Sequence, residues 1–211
     1  MTITHGIGIA CGKVIRLIVR GLALSRIHPN VLTFLGLVIN AVGAVMLAKG
    51  QFFSAGLIII GAGLFDMVDG RVARETNRVT RFGGFFDSVI DRYSDLALLI
   101  GMLVWYGSVN RPFYVVLTAI AMAATVMISY TRARAENSIP TCKVGFMERP
   151  ERVVLLIIGA LFNRMAAVLW IIAVLGNLTV VHRMIFTFQE AKRLEEAQLR
   201  SVGKRAVGQS S

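Results

Sequence analysis

At 211 residues and 55% hydrophobic, with a mean hydropathy of +0.67, the chain fits one domain by length but is too apolar for an ordinary soluble one. Its net charge of +11 is carried in short basic clusters between apolar runs. That is the habit of a polytopic membrane protein beside anionic lipid, and it argues against a nucleic-acid partner.

Residues 6 to 24 place Lys13, Arg16 and Arg20 at helical spacing, with Ile7, Val14, Ile18 and Leu22 largely away from them. This predicts an amphipathic helix lying on the membrane surface, with a deeper spanning helix as the alternative. Basic residues interleaved with apolar ones do not make a cleavable signal. Cys11 and Cys142 are far apart and without metal-type spacing, so both are expected to be free thiols outside the chemistry. Pro29 breaks the first helix and Asn30 is the expected N-cap of the next, with His28 an interfacial residue. Six apolar segments follow, at about 31–48, 52–73, 83–106, 112–133, 150–164 and 166–184. A straight span needs about 20 apolar residues, so the last two are short and their link around Asn163-Arg164 must be tight. The tail from about Lys192 is expected to begin as helix and then fray into disorder.

The expected fold is therefore all-α: a polytopic membrane protein with six transmembrane helices preceded by an N-terminal amphipathic surface helix. The boundaries are a juxtamembrane helix over 1–26, a transmembrane domain over 27–190 and a basic, partly disordered tail over 191–211. Nearly all cations fall on one side of that arrangement. They precede the first span, lie between the second and third and between the fourth and fifth, and follow the sixth. Lys49, Arg111 and Arg164 alone fall on the other side. By the positive-inside rule both termini, and the acidic stretch described next, are cytoplasmic.

Between the second and third segments the chain reads D-M-V-D-G-R-V-A-R-E-T-N-R-V-T-R-F-G-G-F-F-D-S-V-I-D, from Asp66 to Asp91. Asp66 and Asp69 are three apart and Asp87 and Asp91 four apart, so each pair shares a helix face. Carboxylates on membrane-grade helices are costly unless compensated, which makes them functional candidates. Four converging acids repel unless a cation sits among them, and hard oxygen ligands suit Mg²⁺ or Mn²⁺. Gly70 and Gly83 mark close approach of a backbone or ligand, and Arg74 can reach phosphate oxygens. Together these describe a site for a metal-bound diphosphate. A charged helical hairpin at the membrane surface is the plain alternative. Further on, Arg132 in S-Y-T-R-A-R-A-E and Arg152 in M-E-R-P-E-R flank the third cytoplasmic loop, and Arg183 shares a face with Thr179 in the last segment. Three arginines from three helices could clamp a second phosphate, or could simply decorate the cytoplasmic side.

The pattern D-x2-D-G-x2-A-R-x8-G-x3-D-x3-D is filled by Asp66, Asp69, Gly70, Ala73, Arg74, Gly83, Asp87 and Asp91. It resembles the signature of the CDP-alcohol phosphotransferases, membrane enzymes of phospholipid synthesis. The resemblance implies that Asp66, Asp69, Asp87 and Asp91 hold one or two divalent ions, Mg²⁺ or Mn²⁺. It also implies that Asp91, at the edge of the site, is the general base. Pro29, Asn30, Val31 and Leu32, with Asp69, Gly70, Arg74 and Thr80, would contact the CDP-lipid. The basic stretches further resemble the subgroup that makes phosphatidylinositol phosphate or its archaeal-lipid counterpart. There three basic residues hold the acceptor's phosphate; they map to Arg132, Arg152 and Arg183. Pro150 departs from that pattern but fits the first turn of a helix. Asp95 extends the acidic row by a turn and suits a buried hydrogen bond as well as a metal.

The implied reaction is transfer of a phosphatidyl group from CDP-diacylglycerol to inositol phosphate, releasing CMP, by an enzyme the family suggests is a homodimer. Glycerol 3-phosphate is the alternative acceptor. Outside enzymes, a divalent-cation transporter explains the acids but not the glycines, Arg74 or the arginine clamp. A catalytically silent scaffold is disfavoured because no motif position is lost.

Overall fold

The structure is a computed structural model that describes residues 28–75 and 79–208, with the side chains of 67–75 and 200–208 outside the description. The amphipathic helix expected over residues 6 to 24 lies outside the described residues. The described residues form six helices in order: α1 (Pro29–Ala48), α2 (Phe52–Glu75), α3 (Arg81–Ser108), α4 (Pro112–Ala135), α5 (Arg149–Leu161) and α6 (Met165–Gly208). No strand occurs among the described residues.

The helix boundaries have local causes. Pro29 and Pro112 open α1 and α4, where a missing N–H costs nothing and φ is already helical. Just past the ends of α1, α3 and α5 stand Gly50, Asn110 and Asn163 with φ of 73°, 54° and 52°, the left-handed stop that glycine and asparagine tolerate best. Asn163 makes the tight link expected before the last helix. One expectation is corrected. The N-cap of α1 is His28, whose Nδ1 accepts from the Asn30 N–H at 3.2 Å. Pro29 already has helical φ, so the cap falls before it and Asn30 lies inside the first turn. At the other end α6 runs as helix to Gly208.

Among the described residues three helices are long and apolar enough to cross a membrane: Pro29–Ala48, Pro112–Ala135 and Met165–Leu199. On α1 the large apolar side chains Val31, Phe34, Val38, Val42 and Val45 point outward, while Leu32, Thr33, Gly36, Asn40, Gly43 and Ala44 point inward. Small and polar residues inside with bulky apolar ones outside is the pattern of a helix solvated by lipid.

The chain divides into two compact units, residues 1–115 with 153–165 and residues 116–152 with 166–211. In the first, α1 packs against both α2 and α3. Gly43 meets Ile58 and Ile59 of α2 and Leu98 of α3 at 3.4–3.5 Å from where a Cβ would stand. A Cβ on Gly101 of α3 would collide with the Ala44 carbonyl, so the two backbones are in contact. In the second, Gly176 of α6 lies against Ala124 and Ile128 of α4. Beyond that contact Phe186, Ala191 and Leu194 cover a small core of Ala135, Ile139 and Cys142. The loop between α4 and α5 is thereby held onto the late turns of α6.

Candidate active site

The first unit carries the acids. Asp66 stands nine residues before the end of α2 and Asp91 ten residues after the start of α3, each about 14–15 Å along its helix from the connecting loop. Asp69 and Asp87 are each six residues from the same loop, or about 9 Å. Along the chain the acids thus stand at matching distances from that loop, one from each helix at about 9 Å and one from each at about 14–15 Å. Asp66, Asp87 and Asp91 are half-buried and Asp95 is buried. Asp69, Gly70 and Arg74 lie on α2, with side chains outside the description. Among the described side chains no three His, Cys, Asp or Glu groups converge as a metal cluster.

Two glycines show what the site needs. A Cβ at Gly36 of α1 would stand 2.9 Å from Asp66 Oδ1, so the first carboxylate rests in a hollow that only glycine leaves open. A Cβ at Gly83 would stand 3.0 Å from Thr80 Oγ1 and 3.4 Å from Asn30 Oδ1. The starts of α1 and α3 thus meet at Gly83, and two residues expected at the CDP-lipid, Asn30 and Thr80, are brought together there. Thr80 is also the N-cap of α3 and accepts from the Gly83 N–H at 2.9 Å. Of the entry turn, Pro29 and Leu32 are buried, Asn30 is half-buried and Val31 exposed. Half-buried carboxylates at Asp66, Asp87 and Asp91, the first in a cradle cleared of side chain, fit a hard divalent cation.

The second unit carries the arginines. Arg183 is 1% exposed, and its guanidinium donates to the carbonyls of Val144 at 2.8 Å and Ile128 at 2.5 Å. It also meets Glu148 Oε1 at 3.3 Å. The same oxygen accepts from Arg132 at 3.1 Å, and Arg132 Nε reaches Glu136 at 3.1 Å. Arg152, buried in the first turn of α5, donates to the Met147 carbonyl at 2.8 Å. Gly145, at φ 112° and against Thr179, shapes the loop, and the Phe146 N–H reaches Thr179 Oγ1 at 3.4 Å. The structure thus joins Arg132 to Arg183, and Met147, which holds Arg152, is the neighbour of Glu148. Sequence reasoning missed Glu136 and Glu148. The first was findable, since it follows Arg132 at helical i,i+4 spacing. Glu148 lies 16 residues from Arg132 and 35 from Arg183, and no local pattern announces it.

Residues 26–188 match the CDP-alcohol phosphatidyltransferase family. The chain is 35% identical over 175 residues to archaetidylinositol phosphate synthase of Pyrococcus horikoshii, covering 82% of this chain and 89% of that one. It is 36% identical over 179 residues to phosphatidylinositol phosphate synthase of Mycobacterium bovis, covering 79% and 82%. Among solved structures it resembles phosphatidylinositol phosphate synthase of Mycobacterium tuberculosis with CDP-DAG bound. The TM-score is 0.78 at 33% identity, over 83% of this chain and 94% of that one. The same enzyme in complex with manganese and citrate gives a TM-score of 0.75 at 34% identity, over 81% and 87%.

Proposed function

We propose that this chain, which belongs to the CDP-alcohol phosphatidyltransferase family, transfers a phosphatidyl group from CDP-diacylglycerol to inositol phosphate, releasing CMP. The observation that carries the reading is the eight-position acidic motif, filled without a gap in a chain 35–36% identical, over 79–82% of its length, to synthases of inositol phosphate lipids. Asp66, Asp69, Asp87 and Asp91 are the ligands of one or two divalent ions. The metal, when bound, supplies positive charge to the diphosphate and to the departing CMP.

The rest is the work of this chain's residues. Asn30 and Thr80, with Pro29, Val31, Leu32, Asp69, Gly70 and Arg74, hold the CDP end of the lipid. Asp91 takes the proton from the acceptor hydroxyl as its oxygen bonds to the lipid-side phosphorus. The bond from that phosphorus to CMP breaks as the new one forms. Arg132, Arg152 and Arg183 bind the acceptor's own phosphate, which orients its hydroxyl and distinguishes it from free inositol. The chain crosses the membrane six times behind an amphipathic surface helix, with both termini and the acidic motif cytoplasmic, and works as a homodimer.

The test is CMP release by the purified protein with CDP-diacylglycerol, Mg²⁺ and separate acceptors: inositol phosphate, free inositol and glycerol 3-phosphate. Inositol phosphate should be used at least tenfold better, in kcat/KM, than either competitor. Equal use of free inositol would remove the acceptor-phosphate assignment. Preference for glycerol 3-phosphate would leave the arginines in place and change the polyol.

A further inference from the structure

Glu148 stands among residues that the sequence presents as a field of cations. Its Oε1 accepts from Arg132 at 3.1 Å and from Arg183 at 3.3 Å. A single anionic oxygen between two guanidinium groups, one from α4 and one from α6, is also how a phosphate oxygen would be held. Neither arginine needs that oxygen to keep its place. Arg183 is buried and anchored by the Ile128 and Val144 carbonyls. Arg132 has Glu136 one helical turn away as a second carboxylate partner. Glu148 precedes α5, and its side chain is 44% exposed, with room to rotate away from both.

We infer that Glu148 is a resident anion in the acceptor-phosphate pocket, occupying the place between Arg132 and Arg183 until the acceptor's phosphate displaces it. This rests on the assignment of those arginines to the acceptor phosphate. A phosphate monoester brings about −1.5 to −2 charges and three acceptor oxygens at neutral pH, and so outbids one carboxylate. An uncharged polyol brings neither and leaves Glu148 in possession. Glu148 thus sets a threshold of negative charge for entry, at the cost of some affinity for the correct acceptor.

The decisive variant is E148Q, which keeps the shape and removes the charge. The KM for inositol phosphate should fall about three- to tenfold, the scale of two partly exposed ion pairs no longer broken on binding. Inorganic phosphate should become a stronger competitive inhibitor by a similar factor. The KM for CDP-diacylglycerol should stay where it is, and E148D should return phosphate inhibition toward the wild-type value. R132Q, measured alongside, should raise the KM for inositol phosphate about tenfold or more if the acceptor assignment holds. If E148Q leaves the KM unchanged or raises it while R132Q also raises it, Glu148 merely props the arginines; the inference fails and the acceptor assignment stands. If R132Q leaves the KM unchanged, the assignment fails and takes the inference with it. Should E148Q not accumulate, E148A is read by the same phosphate inhibition, with the same sign expected.

Discussion

Replacing Gly36 by alanine sets two effects of the same methyl group against each other. Inside α1 the change favours the helix by about 1 kcal/mol, because glycine gives up more backbone freedom on folding. The new Cβ, however, would stand 2.9 Å from Asp66 Oδ1, against ordinary carbon–oxygen contacts of about 3.3 Å or more. The obstacle is the tip of a side chain, so the fold accommodates it by moving the carboxylate about 0.4 Å or more. Metal–ligand distances hold within about 0.2 Å, and disturbing a ligand's support typically costs about 10–100-fold in metal affinity or activity. Gly36→Ala should therefore melt no lower than the parent while needing about 10–100-fold more Mg²⁺ or Mn²⁺ for half-maximal CMP release. The assay is a metal titration at saturating CDP-diacylglycerol, paired with thermal unfolding in the same detergent. An unchanged metal requirement would show that Asp66 does not serve a metal from this position. A large fall in melting temperature would show that the hollow matters to packing and not to the ligand.

Three further outcomes are expected. Asp91→Asn should lower kcat about 10²–10⁴-fold, the usual worth of a general base, while CDP-lipid binding measured directly is retained; more than a tenth of parental turnover would remove Asp91 from that role. Arg183→Gln should cost about 1–3 kcal/mol in thermal stability, because the change leaves the Val144 and Ile128 carbonyls short of a donor and takes one partner from Glu148; a melting point within a degree of the parent would refute the structural half of its role. Thr80→Ala should cost about 1 kcal/mol through loss of the α3 cap and raise the KM for CDP-diacylglycerol with little change for the acceptor; equal change for both substrates would show a general loosening.

Local chemistry was legible in the sequence, and partnership over distance was not. The six apolar segments end within a few residues of the first five helices and the start of the sixth, because prolines, left-handed asparagines and hydropathy act over a few residues. Among the described residues α5, with only 13, is too short to span by length alone. The carboxylate pairs could be placed on helix faces from spacing. The Gly36 hollow could not, since the carboxylate it receives lies 30 residues away on another helix. Nor could the packing of Phe186, Ala191 and Leu194 of α6 against Ile139 and Cys142, in a loop that hydropathy alone reads as polar.

The partition of the chain has an evolutionary consequence. Every acid of the motif, together with Asn30 and Thr80, belongs to one compact unit, and Arg132, Glu148, Arg152 and Arg183 all belong to the other. If the arginines take the acceptor's phosphate, donor activation and acceptor choice are encoded by separate stretches of the chain, 1–115 with 153–165 and 116–152 with 166–211. A lineage could exchange one polyol for another by changing residues 116–152 and the α6 face opposite them while its nucleotide chemistry stayed fixed. Chimeras joined at the unit boundaries, and not at helix ends, are the natural way to move acceptor preference between relatives.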